Sequence, residues 1–421
     1  MAVSVISNRA ALRSLFVIQL LSMGAMEMSA PFWPQHLRAL GHLTSHELAL
    51  ASGIAYAGPM WMAMCLTPWW GRLGDRIGHK PMLLRALLAL AVTQLWIASA
   101  DDTVTILVAR LVQGALAGFI AAAQAYGACL VPSDKRGSLM AKLQVATAVG
   151  AMTGPLAGGW IFDALGFRTL NVVAAAICLV CAIVASRVLP TALPLASNPS
   201  LGMSPQKPFT FGAVYGLVFA IVLVQTGKMM PQTFFGLFAE QVLHTPAWVT
   251  GLCYGAPALG LCIAAPFWAK RFENKPRAVI LSQVQWICWA CAAIVAVQAT
   301  SRELSLFVLA RVLWGVCMAA LLPVFFGLLS READTHQQGR VLGVGNSAAK
   351  AGALFGAIAG SLILAWIPIH YAFWPVVAIY AMAAMGLRAM RKRPGPIQQQ
   401  RTTGLHKSKL SPIQPINQGK Q

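Results

Sequence analysis

Charge is what this sequence has least of. Of 421 residues only 10% are charged, and just 12 are Asp or Glu. A soluble domain carries about 25% charged residues, so water cannot be the solvent for most of this surface. Histidine is also sparse. All eight His fall in expected loops, span ends or the tail, and none is paired within a hydrophobic segment. That pattern offers neither a metal-ligand set nor a catalytic base beside a nucleophile. No G-x-x-x-x-G-K-[ST] phosphate loop is present, which argues against ATP hydrolysis by this chain. No enzyme activity, cofactor or metal is expected. The nine cysteines lie in or beside apolar stretches. The C-x-x-C pairs Cys178/Cys181 and Cys288/Cys291 read as small packing residues, since no His or carboxylate stands near them.

What the sequence has in abundance is apolar length: 57% of its residues are hydrophobic. A membrane-spanning helix needs about 20 mostly apolar residues. Twelve such segments are predicted, over 13–33, 47–70, 82–100, 104–126, 139–162, 168–187, 210–232, 247–269, 278–299, 304–328, 340–364 and 370–390. The formal net charge of +20 could suggest nucleic acid, but its placement does not. Lys and Arg gather in alternate loops, on the side that also holds both termini. The opposite loops hold only Arg38, Arg168 and Arg302. This is the positive-inside bias. It predicts a multi-pass protein of the cell inner membrane with both termini cytoplasmic, and no nucleic-acid partner. The first span, too long for a cleaved signal, is expected to be retained.

The proline-rich stretch 190–209 cannot continue a helix and divides the chain. Residues 1–189 are expected to form one six-helix bundle and 210–390 a second, followed by a basic, disordered tail at 391–421. The halves repeat. Arg110-Leu-Val-Gln-Gly114 recurs as Arg311-Val-Leu-Trp-Gly315 at an offset of 201, and Gly154 and Gly158 recur as Gly356 and Gly360 at 202. Gly58-Pro59 corresponds to Ala256-Pro257 at 198. Duplicated bundles place a substrate site between them near the midplane, where rocking alternates its exposure.

Several motifs carry a resemblance. Gly71-Arg-Leu-Gly74-Asp75-Arg76-Ile-Gly78-His-Lys-Pro81, between spans two and three, resembles the loop signature of the major facilitator superfamily. Its copy, Ala269 to Pro276, has lost the glycines. Arg110-x-x-Gln113-Gly114 is similar to the family's fourth-helix motif. Gly150-x-x-x-Gly154-Pro155-x-x-Gly158-Gly159 resembles the antiporter motif of its drug:proton exchangers, and Gly24 with Pro31 and Pro34 the first-helix motif of its twelve-helix exporters. The resemblance spans residues 13 to 390. It implies an all-α polytopic fold of twelve transmembrane helices in two pseudo-repeated bundles. It also implies a cytoplasmic gate loop at Gly71, Gly74, Asp75, Arg76 and Gly78, and a seal between the bundles at the fifth-helix glycines. Export follows from that last motif; an importer of a small metabolite is the alternative.

Ionisable groups inside a span cost about 2.5–3.5 kcal/mol at a helix centre on insertion scales and mark function by default. Glu27 is the one acid read as deep in a span. A low-dielectric setting disfavours a carboxylate's charged form, so it suits reversible protonation. The resemblance assigns proton transfer to Arg110, which would tune a neighbouring acid; its repeat mate Arg311 is expected to be structural. Lys228 and Lys350 fall on spans seven and eleven, which line the cavity in this superfamily, with Gln113, Gln144 and Asn346 as further polar groups. The positive balance predicts an amphipathic, anionic or zwitterionic small-molecule substrate, such as a siderophore, exported against protons by a monomer.

Overall fold

The computed structural model describes residues 2–391 except 42, 117, 133–135, 192–211, 274 and 332–337. The expected linker and tail therefore lie almost entirely outside the described residues. Those described are helical, with no strand among them. The helices are α1 Ala2–Glu27, α2 Trp33–Ala39, α3 Ser45–Ile77, α4 His79–Ser99, α5 Thr103–Leu116, α6 Phe119–Leu130, α7 Arg136–Val188, α8 Gly212–Gln241, α9 Ala247–Phe272, α10 Arg277–Thr300, α11 Leu304–Arg331, α12 Gln338–Trp366 and α13 Trp374–Arg391. Among the described residues, eleven stretches are long and apolar enough to cross a membrane.

Glycine sets three of the breaks. The 53-residue α7 reverses at Gly166, with φ +80°, a backbone that L side chains rarely adopt. The expected fourth span is divided into α5 and α6 beside Gly118 at φ +110°. Its counterpart α11, with Ala319 at the equivalent place, runs unbroken. The third break corrects an expectation. The Gly71–Pro81 stretch is not a loop: α3 continues to Ile77 and α4 starts at His79, with Gly78 alone, at φ +96°, making the turn. One positive-φ residue suffices to reverse the chain, and helical geometry satisfies the remaining backbone groups, as lipid requires.

Packing follows the repeat. α1 lies along α7 as α8 lies along α12, and α3 along α5 as α9 along α11. Small residues let these backbones approach, which drives helix association where lipid gives no hydrophobic force. A Cβ at Gly154 would overlap the Gly24 carbonyl, and one at Gly356 would crowd that of Thr226. Hydrogen bonds repeat as well. Trp70 Nε1 donates to Ala115 O at 2.8 Å, and Trp268 Nε1 to Val316 O at the same distance.

The two sets, α1–α7 and α8–α13, meet at one end. Hydrogen bonds and an ion pair join them at the face opposite the chain termini. Arg38 pairs with Glu240, and Gln35 Nε2 donates to Gly236 O at 3.3 Å. Asp163 accepts from the first two amides of α9, Ala247 N at 3.0 Å and Trp248 N at 2.9 Å, where a helix terminus favours negative charge. Below them Gly159 lies against the Ala247 carbonyl, Gly251 against that of Pro155, and Gly53 against Ser361 Oγ. Toward the terminal face Gln144, Asn346 and Lys350 are exposed. The structure is sealed at the far face and open at the terminal face.

Candidate functional site

Between the two sets lies a cavity of about 360 Å³. Its polar wall holds Glu27, Gln144, Lys228, Gln232, Tyr254 and Arg311. Met23, Met229, Met318 and Trp314 supply adaptable apolar surface.

Glu27 is the last residue of α1, just before a turn fixed by Pro31 at Ala30–Phe32. The helix ends partway through the hydrophobic stretch Ala10–Ala39, which leaves the carboxylate inside that stretch and on the cavity wall. Arg110 and Lys228 are within its electrostatic reach. Yet neither Glu27 nor Lys228 has a hydrogen bond or a close ion pair among the described residues. Both heads face the cavity unpaired.

Arg110 stands behind that wall. Its Nε donates to Ala55 O at 3.0 Å, its Nη1 to Gln113 Oε1 at 2.5 Å, and its guanidinium lies 4.8 Å from the Trp33 ring. Gln113 is therefore engaged by Arg110. Gln144 is on the wall. Lys350 and Asn346 share the stripe of α12 that, at Leu354 and Ala357, packs into the α1–α7 core; they lie nearer the open mouth. Asp75 is exposed on the terminal face, at the rim of a smaller pocket with His79 and Arg85. Gly150 and Gly154 pack on α1 and Gly158 on Met28 just past its end, while Gly159 and Pro155 pack on α9. This stretch of α7 therefore touches both partners.

Two residues escaped the sequence reading. Asp163 lies one residue past the expected span 139–162 and drew no assignment; its role needs the first turn of α9 at Ala247 beside it. Arg311, read as structural, is a wall residue. It is only 4% exposed, with its guanidinium 4.5 Å from the Phe235 ring and 5.1 Å from that of Trp314. A difference inside the repeated motif, Trp314 for Gln113, was the available clue.

Comparison with known proteins agrees with this architecture. The chain belongs to the Major Facilitator Superfamily, whose family model matches residues 15–304 and 217–418. It is 27% identical over 390 residues to a staphyloferrin B transporter of Staphylococcus aureus, covering 90% of this chain and 92% of that one. It is 26% identical over 385 residues to the multidrug resistance protein MdtG of Rahnella, covering 89% and 91%. These relatives are consistent with the drug:proton antiporter branch. Among solved structures, a D-xylose-proton symporter superposes with a TM-score of 0.72 at 14% identity, covering 90% and 96%. That likeness concerns the fold. The chain is a multi-pass membrane protein of a transporter family.

Proposed function

We propose that this protein is a proton-coupled secondary transporter that exports amphipathic, anionic or zwitterionic small organic molecules by alternating access. Its twelve crossings form two six-helix bundles in the inner membrane, with both termini cytoplasmic. In that orientation the structure is the inward-open state, ready to load cargo from the cytoplasm.

The observation that carries the reading is the unpaired Glu27 carboxyl on the wall of a cavity sealed at one end. An unpaired acid inside a span is costly and has no packing duty to justify it; a proton arriving from outside removes its charge. The cycle then loads cargo inside and rocks about the α3–α12 and α7–α9 contacts. It releases cargo as Glu27 takes a proton, and returns to give up that proton inside. Arg110 holds the acid's electrostatic setting without releasing a proton itself. Asp75 and the Gly78 turn guard the open face, and the glycine face of α7 supplies the seal.

Metabolite profiling of medium from cells with and without the gene identifies the cargo. Inverted membrane vesicles then test coupling: an imposed pH gradient drives uptake of that cargo through the wild-type protein and not through Glu27→Gln. Equal driven uptake in both removes Glu27 from the mechanism.

A further inference from the structure

The repeat places the same three side-chain positions on the two sides of the cavity, in unlike states. In α1–α7, Arg110 Nη1 is occupied by Gln113 and the Tyr56 hydroxyl donates to Ala30 O. Their repeat mates are Arg311, Trp314 and Tyr254. Arg311 Nε keeps the matched bond, to Cys253 O at 3.0 Å, and Nη2 reaches Tyr254 O at 3.4 Å. With tryptophan in place of glutamine, Nη1 loses its acceptor. Both Arg311 Nη1 and the Tyr254 hydroxyl are buried without a hydrogen-bond partner, on residues that line the cavity. Buried donors are left unpaired only at a cost, and a planar guanidinium matches a carboxylate.

The acid and the base are also divided. An offset of 202 pairs Glu27 with Met229 and Lys228 with Met26. One wall therefore presents a carboxylate and the other an ammonium, a guanidinium edge and a phenol.

We infer that the cavity is a receptor for zwitterions: Arg311 and Tyr254, with Lys228 beside them, take the carboxylate, and Glu27 takes the cationic end. This rests on the transport reading above and narrows its substrate class from anions or zwitterions to zwitterions. It also fixes the sense of coupling. The groups facing Glu27 are Arg110 on α5, Lys228 on α8, Tyr56 on α3 and Tyr254 on α9, with Arg311 behind Tyr254 and Lys350 at the mouth. None is a second acid. A proton on Glu27 therefore removes the one group that holds the ligand's cation, so proton and zwitterion compete, as exchange requires. A simple anion would instead gain from that proton, since the cavity becomes more positive.

The test uses the full chain in lipid nanodiscs, with empty nanodiscs as reference, and calorimetric titration of 8-aminooctanoate, octanoate and octylammonium. Expected at pH 8 is tightest binding of 8-aminooctanoate. Tyr254→Phe, which breaks none of the protein's own hydrogen bonds made by that hydroxyl, weakens octanoate several-fold and leaves octylammonium unchanged. Arg311→Gln weakens octanoate tenfold or more. Lowering the pH to 6 weakens 8-aminooctanoate and octylammonium but not octanoate. A purely structural Arg311 would move all three probes together, which overturns the inference, as does octanoate binding indifferent to both variants or absence of binding by any probe. If the probes behave as expected while vesicle uptake ignores the pH gradient, the transport reading fails alone. If driven uptake persists while the probes ignore Arg311 and Tyr254, only the zwitterion receptor fails.

Discussion

Arg110 and Arg311 occupy matched turns of matched helices and bond to matched carbonyls, Ala55 O and Cys253 O, both at 3.0 Å. The scaffold around them is nearly the same; their spare hydrogen-bonding capacity is not. On the α1–α7 side Gln113 and Ala30 absorb the arginine and tyrosine donors, and the wall's free group is an acid. On the α8–α13 side the same donors are left open and the wall's free group is a base. Duplication therefore supplied the frame twice, and a few side-chain changes gave the cavity its polarity. The helix packing inside each set shows the converse. Gly154 against α1 and Gly158 against Met28 just past its end, with Gly356 and Gly360 against α8, preserve the same close approach in both copies, because a Cβ at any of them would meet backbone atoms.

That contrast can be broken from the frame outward. Gly154→Leu should do the most damage, since even a Cβ overlaps the Gly24 carbonyl. Overpacking costs about 1–3 kcal/mol when neighbours yield, and here the neighbour is backbone. Folded protein recovered from detergent should fall sharply, and Gly356→Leu should act alike. Glu27→Gln should leave yield intact and abolish pH-driven uptake.

A swap within the repeat sharpens the comparison. Trp314→Gln should hand Arg311 the acceptor that Arg110 has, closing the open donor. Affinity for octanoate should drop about tenfold, equivalent to about 1.4 kcal/mol; unchanged affinity would mean that Nη1 does not meet the ligand. Smaller still is Asp163→Asn. Removing a charge from the α9 N-terminus costs about 0.3–1 kcal/mol at an exposed site. Spin-label distances across the far face should show a larger open fraction. The half-exposed Arg38–Glu240 pair should contribute least, about 1 kcal/mol or less, read from the same distances in Arg38→Gln.

Much of this was legible in the sequence. Lipid as solvent demands long apolar helices, so an all-helical fold of many apolar stretches followed from hydropathy alone; eleven such stretches stand among the described residues, against the twelve expected. The repeat offsets followed from motifs such as Arg110 and Arg311. Glu27 stood out because an acid in a span is expensive. What was not legible depended on distance across the chain. Gln113 read as a cavity group because a polar residue on a span says nothing of whether a neighbour has already claimed it. Gly71 to Pro81 read as a loop because three glycines look like turn signals, although only Gly78 has the positive φ. Asp163 needed the position of Ala247, 84 residues away, before its role could be seen.

The claim that everything else rests on is that Glu27 faces an aqueous crevice open on one side at a time. It is tested by Glu27→Cys in a background in which the nine free cysteines are replaced, using a membrane-impermeant thiol reagent on sealed vesicles of each orientation. Fast labelling from the cytoplasmic side, with slow labelling from outside, is the predicted result for the state described here. A thiol that reacts from neither side would show that the acid is sealed in protein, and would contradict the account.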